Sequence, residues 1–373
     1  MNTNISLFKV HMPKSVNKPL LKVLHSGFIG QGPKVEEFEN ILAKFLDNKN
    51  ILTVNSGTSA LQLALRLANV TIGDEVISTP MTCSATNEPI LATGAKIIWA
   101  DIIPNNGLID PKSVIKKITK KTKAVMCVDW GGTPCDLDEL LKITKKYGIK
   151  LIEDAAHGFG SKYKNKSVGS ISDFTCFSLQ AIKHITTVDG GILTTLNKKD
   201  FQRGKLLRWY GIDREAKVIG DSRIDTDIPN WGYKFHMNDV NATIGITQME
   251  YISEILNKHR CNAHYYFKNI NNKFYQHPIT NWSQISSFWL YTLILPTPEK
   301  RVKFAEYMKN NGIATSRVHR RNDTYLTFPK SKENLPGVTY FYDREECIPV
   351  HWSLTNIDLK KIVKFCNEFS NKN

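Results

Sequence analysis

The sequence has no C-x-x-C pair. Its cysteines are odd in number: Cys83, Cys127, Cys135, Cys176, Cys261, Cys347 and Cys366. An odd set without paired spacing excludes a disulfide framework and a zinc site of ribbon type, and it suits the reduced thiols of a cytoplasmic protein. No apolar run is long enough to span a bilayer, and residues 1–18 lack the continuous apolar core of a signal peptide, so export is not expected. Internal repeats and a low-complexity linker are also missing. Acidic residues are in the minority, 35 against 50 Lys and Arg, for a formal net charge of +15. Such an excess draws anions at long range, whether nucleic acid or a phosphorylated metabolite. The basic residues are dispersed, however. The densest run, 116–123, precedes an apolar stretch and reads as a solvated helix end. No zinc-finger spacing or RNA-binding aromatic motif accompanies it, so neither nucleic acid nor a membrane is expected as a partner.

What is present is a globular pattern. A chain of 373 residues, 41% of them hydrophobic, is long enough for two domains and a large core. Val35, Phe38, Ile41, Leu42 and Phe45 share one helical face. Short apolar runs at 51–54, 76–78, 96–99, 124–128, 151–153, 174–178 and 192–195 read as strands. Helices are expected at 59–67 and, through Leu137, Leu140, Leu141, Ile143 and Thr144, between the fourth and fifth strands. Repeated strand–helix alternation predicts an α/β fold with a mostly parallel central sheet covered on both faces. Ligands of such sheets sit beyond the carboxyl ends of the strands. After about residue 245 the pattern changes to a long helix over 244–256, a strand over 288–295, a helix over 301–310 and a terminal amphipathic helix over 357–369. This predicts a large α/β domain, 1–245, and a smaller C-terminal α+β domain, 246–373.

Three motifs stand at expected strand ends. Asn55-Ser56-Gly57-Thr58-Ser59-Ala60-Leu61 turns a strand into a helix. Free N–H groups at a helix start suit a phosphate, and Thr58 and Ser59 add hydroxyls; a plain N-cap explains the same residues. Glu153-Asp154-Ala155-Ala156-His157-Gly158 ends an apolar strand with two carboxylates that need partners. A cationic ring nitrogen is one such partner, with Ala156 admitting a flat ring and His157 bonding a phenolic oxygen; a metal or a structural ion pair are the others. In the third, 178–191, Lys183 lies between Ser178 and Gly190-Gly191. A buried lysine there could form a Schiff base with an aldehyde, whereas a lone lysine after a strand is ordinarily solvated.

Taken in order, the motifs resemble the nucleotide-sugar aminotransferases of the DegT/StrS type, within fold type I of the pyridoxal-phosphate enzymes. The matching runs are Ser26-Gly27-Phe28-Ile29-Gly30-Gln31-Gly32-Pro33 with Phe38-Glu39, then 55–61, Gly73-Asp74-Glu75-Val76-Ile77, 153–158, 183–191 and Gly232-Tyr233-Lys234-Phe235-His236-Met237-Asn238-Asp239. They cover residues 25–250 in the family's order; the C-terminal third matches more loosely. The resemblance implies a three-layer fold, a large domain that binds pyridoxal 5'-phosphate, and a homodimer with shared active sites. It implies Lys183 as the Schiff-base lysine, Asp154 beneath the pyridine nitrogen and His157 on the ring hydroxyl. Gly57, Thr58 and Ser178 become phosphate contacts, and Ala156 packs on the ring. No metal is implied.

Two positions depart from the family pattern. Cys83 stands where an aromatic residue commonly stacks on the cofactor, so stacking is weaker or comes from another side chain. Lys234 replaces an Asn that reaches the neighbouring subunit's phosphate; a lysine would meet it as a point charge. Relatives with His in place of the lysine are sugar 3-dehydratases. Counting back from Gly190-Gly191 puts the catalytic register on Lys183 and leaves His184 one place beyond it. The implied reaction moves an amino group from L-glutamate to a nucleotide-linked keto sugar, with carbon 4 of a 4-keto-6-deoxyhexose favoured over a 3-keto sugar. A regulatory or binding protein of the same fold is the rival from another class, against which an intact Lys183 and Asp154 argue.

Overall fold

The computed structural model describes residues 4–214, 227–278 and 284–373. The main sheet has seven strands: β1 (Ile51–Val54), β2 (Glu75–Ser78), β3 (Lys96–Trp99), β4 (Thr122–Val128), β5 (Lys150–Asp154), β8 (Phe174–Ser178) and β9 (Gly191–Thr195). The two-residue strands β6 (Lys162–Tyr163) and β7 (Lys166–Ser167) join β10 (Gln284–Ile285) in a small separate sheet. Strand order in the main sheet is β1-β9-β8-β5-β4-β2-β3. Neighbours from β3 to β8 pair in parallel, and β9 alone runs against the rest, between β8 and β1. The mostly parallel sheet expected from the alternating pattern is therefore present.

Both sheet faces are covered, because successive residues of a strand point to opposite sides. On β9, Leu193 packs in one apolar cluster with Leu52 and Leu67, while its neighbour Ile192 packs in another with Phe38 and Phe177. Polar alternation is lost on such strands, and β1 and β9 are buried throughout. A third cluster gathers Tyr266, Tyr275, Phe304 and Phe369 around the antiparallel pair β11 (Tyr291–Ile294) and β12 (Glu345–Ile348), with Ile5 from the N-terminal segment. This is the smaller C-terminal α+β part.

The structure corrects two sequence expectations. The single helix over 244–256 is two, Asp239–Met249 and Ile252–Asn269, broken at Glu250–Tyr251. The first lies against the helix Pro33–Leu46, so closely that a Cβ on Gly245 would stand 2.4 Å from the Phe38 ring. The second keeps Ile252 and Leu256 in the cluster around Phe38 and sends Ala263 and Tyr266 into the C-terminal cluster. We propose this break as the division between the two parts, since residue 245 lies inside the first helix. The strand over 288–295 shortens to β11 because Phe288 adopts a positive φ of 50°. Its carbonyl accepts from the His259 ring, and Trp289 is directed toward the large domain, where its indole N–H donates to the Ile182 carbonyl at 2.9 Å.

Candidate active site

Three strand ends converge because β9 lies between β1 and β8. Gly191, the first residue of β9, pairs with Val54 at the end of β1 and with Ser178 at the end of β8. A Cβ on Gly191 would stand 2.3 Å from the Ser56 carbonyl oxygen, so only glycine lets the 55–58 turn approach. Gly191→Ala is expected to destabilise the protein by roughly 1–3 kcal/mol through backbone overlap, and denaturant unfolding of the two proteins would measure it. Ser56 caps the helix Gly57–Leu67, its hydroxyl accepting from the Ser59 N–H at 3.0 Å. The N–H groups of Gly57 and Thr58, the first two helical residues, have no intrahelical acceptor. They border a cavity of about 450 Å³ that Asp154, Ala156, His157, Ser178, Lys183 and Cys83 also line.

Asp154 ends β5 and is buried beneath this cavity. One carboxylate oxygen accepts from the Thr86 hydroxyl at 2.7 Å, the other from the Ala156 N–H at 3.0 Å. Burial pushes its proton affinity up, while Thr86, Ala156 and the nearby Lys183 ammonium oppose the rise. Burial brings Lys183 down to about 8, against the opposing pull of Asp154 and Cys83. A substantial fraction of the amine is therefore neutral and nucleophilic near pH 8. Its Nζ lies 3.6 Å from the centroid of the Trp289 ring. His157 stacks on the same indole, with centroids 3.9 Å apart, and its Nδ1 accepts from the Gly131 N–H at 3.3 Å. Burial, then Lys183 and two further histidines, keep this imidazole well below its usual proton affinity. A neutral ring that accepts at Nδ1 carries its proton on Nε2, and so offers a donor.

Eight of the residues singled out in the sequence thus share one cavity: Gly57, Thr58, Cys83, Asp154, Ala156, His157, Ser178 and Lys183. Two do not line it. Ser59 is spent on the cap, its hydroxyl 2.9 Å from that of Ser56. Lys234 lies apart, its Nζ 4.1 Å from the Trp209 ring centroid and its carbonyl accepting from the Asn55 side chain. His184 turns away from the cavity, with Nε2 3.1 Å from the Ser287 carbonyl oxygen and the ring against His259. The register counted from Gly190-Gly191 therefore agrees with which of the two neighbours opens on the cavity.

The sequence reading missed Thr86, Phe8, Trp289 and His319, all of which line the cavity. Thr86 had a local signal, since it sits only three residues past Cys83. The other three come from distant segments that carried no motif. Trp289, stacked on Phe8 at 4.9 Å, supplies an aromatic wall in the cavity where Cys83 does not.

The features fit pyridoxal phosphate as a group. Two free N–H groups at a helix start suit its phosphate. A Cβ on Gly57 would come 3.1 Å from that of Ser178, so the glycine brings this helix start against the Ser178 side chain. A buried carboxylate suits a ring cation, and a lysine of lowered basicity suits an aldehyde. The sequence pattern of the DegT/DnrJ/EryC1/StrS aminotransferase family matches residues 11–366. The chain belongs to this family. Among curated relatives, it is 33% identical over 352 residues to the UDP-4-amino-4,6-dideoxy-N-acetyl-beta-L-altrosamine transaminase of Campylobacter jejuni serotype O:23/36, covering 91% of each chain. Among solved structures, AtS13 from Actinomadura melliaura is 37% identical with a TM-score of 0.93, over 98% of this chain and 99% of that one. Spr1654 of Streptococcus pneumoniae, in its PLP form, is 26% identical with a TM-score of 0.90, over 99% of both chains. This DegT-family chain is accordingly a pyridoxal-phosphate-dependent sugar aminotransferase. Among its described residues no helix is long and apolar enough to cross a membrane.

Proposed function

We propose that the chain transfers the amino group of L-glutamate to carbon 4 of a 4-keto-6-deoxyhexose linked to a nucleoside diphosphate. The observation that carries the reading is the convergence of Lys183, Asp154 and the Gly57–Thr58 helix start on one cavity. The carbon-4 preference draws support from the Campylobacter relative, whose name specifies a UDP-linked 4-amino-4,6-dideoxy sugar. The net charge of +15 suits a diphosphate-bearing substrate.

Pyridoxal phosphate supplies an aldehyde that condenses with amines and a cationic ring that accepts electrons from a breaking C–H bond. The residues that would hold it are Gly57, Thr58 and Ser178 at the phosphate, Asp154 at the ring nitrogen, His157 at the ring hydroxyl and Ala156 against one face. Lys183 would hold the group at its aldehyde, and its Nζ would carry the proton that leaves the α-carbon of the amino donor. Asp154, whose rise in proton affinity from burial is opposed by Thr86, Ala156 and Lys183, would keep the ring nitrogen protonated. Trp289 and Phe8 exclude water from one wall. Lys234, which lies outside this cavity, serves the cavity of a second subunit in a homodimer.

A panel of 4-keto and 3-keto sugar nucleotides incubated with glutamate and the holoenzyme tests this by mass. A 4-keto-6-deoxy member is expected to exchange its carbonyl oxygen for an amino group. Amination of a 3-keto member alone would move the specificity to carbon 3, and amination of none would favour a binding protein of this fold. Sedimentation of the active enzyme as a monomer would remove the role given to Lys234.

A further inference from the structure

Directly behind the cavity lie two carboxyl groups that the proposed reaction does not use. Asp129 follows β4 and Glu153 precedes Asp154 on β5; both are fully buried. The strands pair so that Val128 lies opposite Asp154, and the Asp129 N–H donates to the Asp154 carbonyl at 3.1 Å. One oxygen of each side chain is satisfied. Asp129 Oδ1 accepts from the Cys135 N–H at 3.0 Å. Glu153 Oε2 accepts from the hydroxyls of Ser172 and Thr175, at 2.9 and 3.0 Å. The remaining oxygens, Asp129 Oδ2 and Glu153 Oε1, are buried and have no hydrogen-bond partner among the described residues. Cys127 lies opposite Glu153 in the β4–β5 register, which brings Asp129, two residues further on, to the same side of the strand pair as Glu153, and the two carboxyls interact directly there. Two acceptors can bond only if one of them carries a proton.

We propose that Asp129 and Glu153 hold one proton between Oδ2 and Oε1, and that this carboxyl–carboxylate bond is a positioning device for His157 and Asp154. It rests on the functional reading above only in taking those two residues as the ones that meet the cofactor. The geometry supplies the route. Asp129 Oδ2 lies against Gly158, where a Cβ would stand 2.9 Å from it, so it abuts the loop that carries His157. Oδ1 ties down the turn Asp129–Cys135, whose Gly131 N–H holds His157 Nδ1. Glu153 fixes the strand end beside Asp154. One shared proton thus joins the turn that sets the His157 tautomer to the strand that presents Asp154.

The surroundings favour the singly charged pair. Besides Asp154, the titratable groups facing it are Cys127 on β4, Cys135 in the turn and Cys176 on β8. Burial pushes Asp129 well up and Glu153 up; Glu153 adds to the rise at Asp129, whereas Asp129 works against the rise at Glu153, which puts the proton on Asp129. Loss of the proton at alkaline pH would place two adjacent charges next to Asp154, replacing the bond by repulsion.

Holoenzyme, Asp129→Asn and Asp129→Ala test this. An amide at 129 still donates to Glu153 but has no proton to lose. The infrared difference between wild type and Asp129→Asn at pH 7.5 is expected to show an un-ionised carboxyl stretch in the wild type only. Asp129→Asn should retain kcat at neutral pH within about threefold and resist the alkaline fall of the wild type, whereas Asp129→Ala should lose roughly tenfold or more. No un-ionised carboxyl in the wild type, or identical pH profiles for wild type and Asp129→Asn, would overturn the proposal. If Asp129→Ala does not fold, the infrared comparison still decides. It also decides if no keto sugar is aminated, because it needs no turnover.

Discussion

Lys183→Ala is expected to abolish amino transfer, with a loss of at least about 10⁴-fold in kcat, because one substitution removes both the nucleophile and the proton carrier. No neighbour can replace it. His184 is bonded to the Ser287 carbonyl and faces His259, and the remaining cavity imidazoles, His157 and His319, are both held neutral by burial. Borohydride reduction of the wild-type holoenzyme followed by peptide mapping should find the cofactor on Lys183, and the variant should carry none. Covalent cofactor on the reduced variant would show that another amine holds the post. The lowered basicity of Lys183 adds a pH signature. Its neutral form is the nucleophile and dominates above about 8. Recapture of pyridoxal phosphate by apoenzyme should therefore quicken by roughly 25-fold between pH 6.5 and 8.5, as expected from titration of one amine at about 8. A rate that does not change over that range would contradict a Lys183 of reduced basicity.

Asp154→Asn is expected to lower kcat by about 10²–10⁴-fold while leaving substrate binding within a few-fold, the mark of an interaction made chiefly in the transition state. The amide can keep a bond from the Ala156 N–H to its carbonyl oxygen, and it meets Thr86 with the other group. What it loses is the charge that keeps a ring nitrogen protonated. Both proteins should retain the fold, because Asn is close to isosteric and removes a buried charge rather than creating one. Single-turnover measurement with glutamate alone isolates the first half-reaction. An unimpaired first half-reaction in Asp154→Asn would dissociate this carboxylate from the ring.

Much of the site was legible because its parts lie at the ends of consecutive elements. The 55–61 turn, the 153–158 strand end and the 178–191 loop are each local, and each carries its chemistry in a few adjacent residues. Departures from the expected elements occur where one segment serves two distant neighbours. Residues 239–269 pack on Phe38 at one end and fill the C-terminal cluster at the other, with the break at Glu250–Tyr251 between them. Phe288 gives up strand geometry so that Trp289 can reach Lys183. Ser59 shows the opposite limit. Its residue type suits a phosphate, but in the folded chain its hydroxyl and N–H are both committed to Ser56.

By itself, the sequence determined the strand–helix alternation, the strand ends that carry chemistry, and the register that separates Lys183 from His184. Periodicity and short spacing are local properties, and they survive without coordinates. Only the tertiary structure decided that Trp289, Phe8 and His319 close the cavity, that Thr86 steadies Asp154, and that Asp129 and Glu153 are buried on neighbouring strands behind it. These are contacts between segments far apart in the chain. Phe8 and Trp289 have 280 intervening residues, and no spacing rule spans that separation. The sheet order, which inserts β9 between β1 and β8, is what brings the local motifs to one place.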